Sequence, residues 1–165
     1  MITLNSSLPS FSAQAYHKNT EITISSDSFS GWTILFFYPH DESPVCPTEL
    51  RELARNYTHL QKLNCEVIGI SVDTIDVHQR FIQTHSPSIP FPLISDSDYT
   101  ISKKFHIYNE EYSCANRGTY IVNPEGKISY VVLSPGTVAR SITETIRVLQ
   151  ALQSGELCTV DWKPN

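Results

Sequence analysis

This sequence has no excess of basic residues, no long apolar run and no pair of cysteines spaced Cys-x-x-Cys. Each lack removes a class of function. With 12 Lys and Arg against 17 Asp and Glu the net charge is −5, so neither nucleic acid nor an anionic membrane is expected as a partner. The apolar stretch around Ile34 to Tyr38 is far too short to span a bilayer. The opening residues, MITLNSSLPSFSAQAYHKNTEI, show no basic segment followed by an apolar one. No secretory signal is therefore visible, and a cytoplasmic location is expected. No repeat, low-complexity tract or linker interrupts the chain, and residues 1–165 read as a single domain with room for a sizeable core.

What the chain does have is four cysteines, Cys46, Cys65, Cys114 and Cys158. An even count suits structural disulfides, but without a signal for an oxidising compartment that use is not expected. The six histidines form no finger-like cluster with the cysteines, and those other than His78 read as surface or strand-edge residues. No metal and no cofactor is implied. The thiols are then either inert and buried or redox-active.

Short apolar runs alternate with amphipathic stretches. Trp32–Tyr38 is β-branched and aromatic and stops at Pro39, as a buried strand does. From about Cys46 to Lys62, Leu50, Leu53, Ala54, Tyr57 and Leu60 recur at helical spacing, and Pro47 suits a first turn, where an N–H has no helical partner. Cys65–Val72 reads as a second buried strand and Ile75–Thr84 as a helix. The stretch FPLISD reads as a short strand ending at Asp96, followed by a helix around Tyr99–Phe105. TYIV, the turn Asn123-Pro124-Glu125-Gly126 and KISYVVL form a β-hairpin. Val138, Ile142, Ile146, Leu149 and Leu152 mark a final helix stopped near Gly155. This order predicts an α/β fold with a mixed central sheet and helices on both faces, of thioredoxin-like architecture with additions.

Cys46 falls where a buried strand gives way to a helix, at the end of the sheet where sites are usually built. A helix N-terminus offers unpaired N–H groups and a positive dipole end, which favour a thiolate over the free thiol of pKa about 8.5. The same position also suits a small buried hydrophobe, and placement alone leaves both readings open.

The surrounding residues carry more. FFYPHDESPVCPTEL (Phe36–Leu50) resembles the active-site segment of the peroxiredoxins, with Pro39, Ser43 and Cys46 at the family's Pro-x-x-x-Thr/Ser-x-x-Cys spacing. The Pro-Thr-Glu that follows is similar to the typical two-cysteine and alkyl hydroperoxide reductase C branch. LNCEVIGISVD with His78 downstream, FPLISD, RGTYIVNPEGKI, ARSITETIRVLQALQ and GELCTVDWKP fall in family order. The resemblance covers nearly the whole chain.

It implies a thiol-dependent peroxidase, without cofactor, in which Cys46 attacks hydrogen peroxide or an organic hydroperoxide and becomes a sulfenic acid. Arg117 matches the family arginine that donates hydrogen bonds to the reacting oxygens and keeps the sulfur ionised. Ser43 stands where threonine is usual; its hydroxyl can donate to the sulfur or accept from the peroxide, with a less restricted rotamer. Pro39 would shape the pocket and shield it from water. Glu49 and Arg140 match positions that brace the arginine and the helix start, though either reads equally as a surface ion pair. Cys158, in a C-terminal tail of about residues 155–165, is implied to resolve the sulfenic acid of a partner subunit. That requires at least a homodimer and a thioredoxin-type or dedicated disulfide reductase.

Cys65 reads as core packing, and Cys114, three residues before Arg117, as the competitor of Cys158. Four features depart from relatives. Thr159 replaces a proline, and Glu42 replaces an aromatic that packs a dimer–dimer interface, which leaves a decamer less expected than a dimer. The stretch HSPSIPFPLISD lacks a Gly-Gly-Leu-Gly insertion, and no further helix follows Asn165. The last two predict resistance of Cys46 to overoxidation. A thiol–disulfide oxidoreductase would need a second cysteine where Glu49 stands. A redox-gated chaperone or peroxide sensor using Cys46 is the remaining alternative.

Overall fold

The computed structural model describes residues 2–84 and 89–165. Positions 85–88, part of the stretch on which the overoxidation expectation rests, lie outside the described residues.

Apolar residues in succession make the central strands. β3 (Trp32–Phe37) and β4 (Cys65–Ser71) are buried on both faces and pair in parallel, Trp32 opposite Cys65 and Phe37 opposite Ile70. β5 (Leu93–Ser95) adds a parallel neighbour to β4, and β8 (Arg117–Val122) pairs antiparallel with β3. β9 (Ile128–Ser134) completes the hairpin read from the sequence. Its turn is closed by the Asn123 side chain, which accepts from the Glu125 and Lys127 amides, and by Gly126 at a φ of 71°.

The N-terminal extension is a second hairpin that the sequence pattern did not reveal. β1 (Ser12–His17) and β2 (Thr20–Ser25) meet at Lys18 and Asn19, both at positive φ, as a two-residue turn requires. Neither tip residue is glycine, so the usual signal is missing. β1 joins β5, and the seven strands run β2-β1-β5-β4-β3-β8-β9. A separate pair, β6 (Tyr108–Asn109) with β7 (Cys114–Ala115), sits just before β8.

Helices cover both faces. On one, α1 (Cys46–Lys62) contributes Leu50, Leu53, Tyr57 and Leu60 and α4 (Ile142–Ser154) contributes Ile142, Ile146 and Leu149 to a core with Ile34 and Phe36. On the other, Leu35, Phe37 and Tyr120 pack with Phe105 and Ile101, the latter from α3 (Thr100–Lys104). α2 (Ile75–Thr84) lies beside β1 and β5 and sends Phe81 into the core shared by α1 and α4. One expectation needs correcting: Val138 is not in the last helix but exposed in the loop before it. α4 starts only where the Ser141 hydroxyl accepts from the Glu144 amide, and it ends at Gly155 in the left-handed conformation. Apolar spacing alone had extended the helix past its cap. No described helix is long and apolar enough to cross a membrane.

Candidate active site

Residues 38–45 carry the chain from β3 to α1, and Cys46, the first residue of that helix, is fully buried. The helix start is closed locally. Val45, at the cap position, offers no side-chain hydrogen bond, and the Ser43 hydroxyl instead accepts the Cys46 amide at 3.1 Å. Pro47 has no N–H to satisfy, and the Thr48 amide and hydroxyl both reach the Val45 carbonyl.

Pairing of Phe37 with Gly118 places Arg117 just beyond the end of β3, at the same end of the sheet as Cys46. Arg117 is 1% exposed, and its Nη1 donates to Cys46 Sγ at 3.2 Å and to Glu49 Oε2 at 2.7 Å. Its Nε and Nη2 both donate to the Gly136 carbonyl, at 3.0 and 2.7 Å. That carbonyl is in reach because Ser134, two residues earlier, pairs with Arg117 in the β8–β9 hairpin. The guanidinium is thus held on three sides.

Glu49 is shared. Arg140 donates to it from its backbone amide at 2.8 Å, from Nε at 3.0 Å and from Nη2 at 3.0 Å. A further bond runs from Arg140 Nη1 to the Thr119 hydroxyl, and the guanidinium lies 3.5 Å from the centre of the Phe36 ring. Glu49 and Arg140 are both buried, so the surface ion pair considered for each does not describe them. Burial pushes the Glu49 carboxyl upward, but the Arg140 hydrogen bonds and charge, joined by Arg117, outweigh it and hold the group below its ordinary value. Two guanidinium charges face one carboxylate here, which leaves this buried group with an excess positive charge beside Cys46 Sγ.

The profile of the AhpC/TSA family matches residues 4–131. The chain belongs to that family. Its relatives agree: the Bacillus subtilis protein YkuU is 41% identical over 138 residues, which covers 81% of this chain and 77% of that protein. Alkyl hydroperoxide reductase C of Pseudomonas aeruginosa is 34% identical and covers 99% of this chain and 91% of its own. Among solved structures, AhpC of Enterococcus faecalis superposes with a TM-score of 0.92 at 33% identity, covering 96% of this chain and all (100%) of that one. A reduced 2-Cys peroxiredoxin of Plasmodium vivax gives 0.92 at 25% identity over 97% of this chain and 89% of that one. The fold is the thioredoxin-like fold of the peroxiredoxins, and the enzyme class is thiol peroxidase.

The other three thiols of this peroxiredoxin sit in different surroundings. All four cysteines are free. Cys65 is buried at the start of β4, and burial, with the Glu66 charge, pushes its thiol up to about 12. Burial, reinforced by the charge of Cys46, also raises the Cys114 thiol. Cys158 is exposed beyond α4, and its partners are local: the Ala151 and Glu156 carbonyls and the Ser154 hydroxyl. Pro39 is half-buried at the start of the active-site loop, and Glu42 is exposed and 3.5 Å from Arg80.

Beneath the same loop lies a polar network that sequence reasoning missed. His78, named in the family resemblance but given no role there, is fully buried. Its Nδ1 meets Asp41 Oδ2 at 2.6 Å and its Nε2 meets the Ile94 carbonyl at 3.1 Å. The Tyr38 hydroxyl donates to Asp41 at 2.7 Å, the Asp41 amide donates to Asp73, and so does the Ser71 hydroxyl. The residues Asp41, Asp73 and His78 are close enough to suggest a metal cluster, but these hydrogen bonds already engage them. A signal did exist: His78 falls on the stripe of Ile75, Phe81 and Ile82 that α2 turns inward.

Both His78 nitrogens face oxygen acceptors, which suits the imidazolium. Burial opposes that charge, yet the Asp41 hydrogen bond and charge prevail, and His78 titrates above its ordinary 6.5. A raised folded value stabilises the protein fully below the unfolded value and ceases to do so as pH climbs through the folded one. His78→Gln should therefore cost roughly 3–5 kcal/mol at pH 6, as breaking a buried pair does, and less at pH 9. Denaturant unfolding at the two pH values checks this; a gap that stays constant or widens contradicts it.

Proposed function

We propose that Cys46 is the peroxide-reacting sulfur and Cys158 the resolving one. The observation that carries the reading is the Arg117 guanidinium bonded to Cys46 Sγ while clamped by Glu49 and Gly136. The Cys46 thiolate attacks one oxygen of hydrogen peroxide or an organic hydroperoxide. An S–O bond forms, the O–O bond breaks, and the departing oxygen takes a proton to leave as water or alcohol, with Cys46 left as sulfenic acid. Arg117 offers fixed charged donors where negative charge moves from sulfur to the departing oxygen. Ser43, whose oxygen accepts the Cys46 amide, keeps its own hydrogen to offer the peroxide. Pro39 screens the sulfur from water, while Glu49 and Arg140 hold the guanidinium in place.

Resolution follows when the Cys158 thiol of a second subunit attacks the sulfenic sulfur, releasing water and forming an intersubunit disulfide. A disulfide needs its Cα atoms within about 7 Å, so the start of α1 and the tail must both loosen. A thioredoxin-type dithiol then reduces the bond. β9 supports a homodimer, because it ends the sheet with one edge unpaired among the described strands. The exposed Glu42–Arg80 pair gives less reason for assembly beyond the dimer to a decamer. We further read residues 1–165 as one domain, cytoplasmic in location, where free thiols persist. The missing Gly-Gly-Leu-Gly supports resistance to overoxidation.

A non-reducing gel after one equivalent of peroxide tests the pairing. Wild type should run as a covalent dimer. Cys158→Ser should remain monomeric and still consume one equivalent rapidly, but lose recycling by thioredoxin. A covalent dimer in Cys158→Ser rules out Cys158 as the resolving residue.

A further inference from the structure

The tail that carries Cys158 is fastened at a single polar point. Two of its apolar residues do not anchor it, Leu157 being 99% exposed and Val160 89%, while Trp162 is half-buried. From Cys158, beside the Ala151 carbonyl near the end of α4, the chain turns back along that helix. A turn from Thr159 to Trp162, closed by the Trp162 amide on the Thr159 carbonyl, brings the Trp162 carbonyl to Arg147. Among the described residues, the Arg147 Nη1 to Trp162 oxygen bond, at 3.1 Å, is the one hydrogen bond joining residues 159–165 to the rest of the chain. The Glu144 carboxylate grips the same guanidinium through Nε at 2.7 Å and Nη2 at 2.8 Å. Arg147 is thereby pre-aimed at the tail, one helical turn from Ala151.

We propose that Arg147 is a positioning residue for resolution: a latch that parks the tail on α4 and must release before Cys158 can reach the sulfenic acid. The inference rests on the reading of Cys158 as the resolving thiol. In the parked state Cys158 faces the last turn of its own helix, whereas the reaction needs its sulfur against Cys46 of a second subunit. The chemistry is unchanged: the Cys158 thiol loses its proton, S–S forms, and the sulfenic oxygen leaves as water. Arg147 affects only how often the tail is free to begin it. One charge-assisted bond on a partly exposed side chain sets the scale, a population change of about threefold to tenfold.

The experiment compares wild type, Arg147→Ala and Arg147→Lys as full chains, after one equivalent of hydrogen peroxide. Arg147→Ala should form the disulfide about threefold to tenfold faster, with the rate of Cys46 oxidation unchanged and overoxidation requiring correspondingly more peroxide. Arg147→Lys, which can still reach the carbonyl, should lie between the two. A merely structural role would not separate the two chemical steps in this way. Acrylamide quenching of Trp162, read in a Trp32→Phe background, reports tail release directly and should rise in Arg147→Ala. Disulfide formation that is unchanged or slower, or quenching that does not rise, overturns the latch. If Cys158→Ser still forms the disulfide, the resolving assignment fails instead, and the quenching result still decides whether Arg147 holds the tail.

Discussion

Replacing Cys46 with serine is expected to reduce peroxide turnover to the uncatalysed background while leaving the fold intact. A hydroxyl becomes a useful nucleophile only when a neighbouring base takes its proton. Cys46 Sγ is bonded to the Arg117 guanidinium, which has no proton acceptor to offer. The carboxylate within reach of that arginine, Glu49, is occupied by two guanidiniums, and His78 is committed to Asp41 and Ile94. Serine would still accept the Arg117 bond and fits the space, so stability should change by about 1 kcal/mol or less. Peroxide consumption with a dithiol reductant, alongside thermal unfolding, makes the comparison. Turnover surviving in a folded Cys46→Ser protein would remove Cys46 from the reaction.

Arg117→Lys should lower kcat/KM for peroxide by about 10²–10³, the scale of losing one preorganised donor to developing charge. The charge is conserved in this substitution, so a large loss reports geometry. Arg117 uses its fork fully: one edge on the Gly136 carbonyl, the other nitrogen divided between Glu49 and Cys46. A lysine ammonium is a single compact group on a flexible stem and cannot hold those three points at once. Glu49 would keep its Arg140 partners, which limits the damage to folding. Rapid-mixing measurement of Cys46 oxidation at several peroxide concentrations isolates the step. Activity within about threefold of wild type would show that charge alone suffices, against the donor-geometry argument.

The two halves of this site were legible to different degrees. The element order, the limits of α1 and α2, and the β8–β9 hairpin follow from apolar spacing, Pro47 and the Asn123–Gly126 turn, all of which act within a few residues. The first hairpin did not show itself, because Lys18 and Asn19 take positive φ without glycine. Cys46, Arg117, Glu49 and Arg140 were singled out individually, and the structure brings these four into one cluster. Whether Glu49 and Arg140 were a solvated pair or a buried one depended on β3, β8 and α4 closing over them.

Local chemistry is written in neighbours along the chain, and so the sequence alone determined the alternating strands and helices, the helix-start placement of Cys46 and the absence of any paired-thiol motif. Contacts across 71 or 91 residues are another matter. The Gly136 carbonyl on Arg117, the Asp41–His78 pair under the loop and the Arg147 hold on the tail exist only once the sheet is assembled. A backbone oxygen has no residue signature, and a charged side chain reveals its burial only after its partners have arrived to meet its hydrogen bonds.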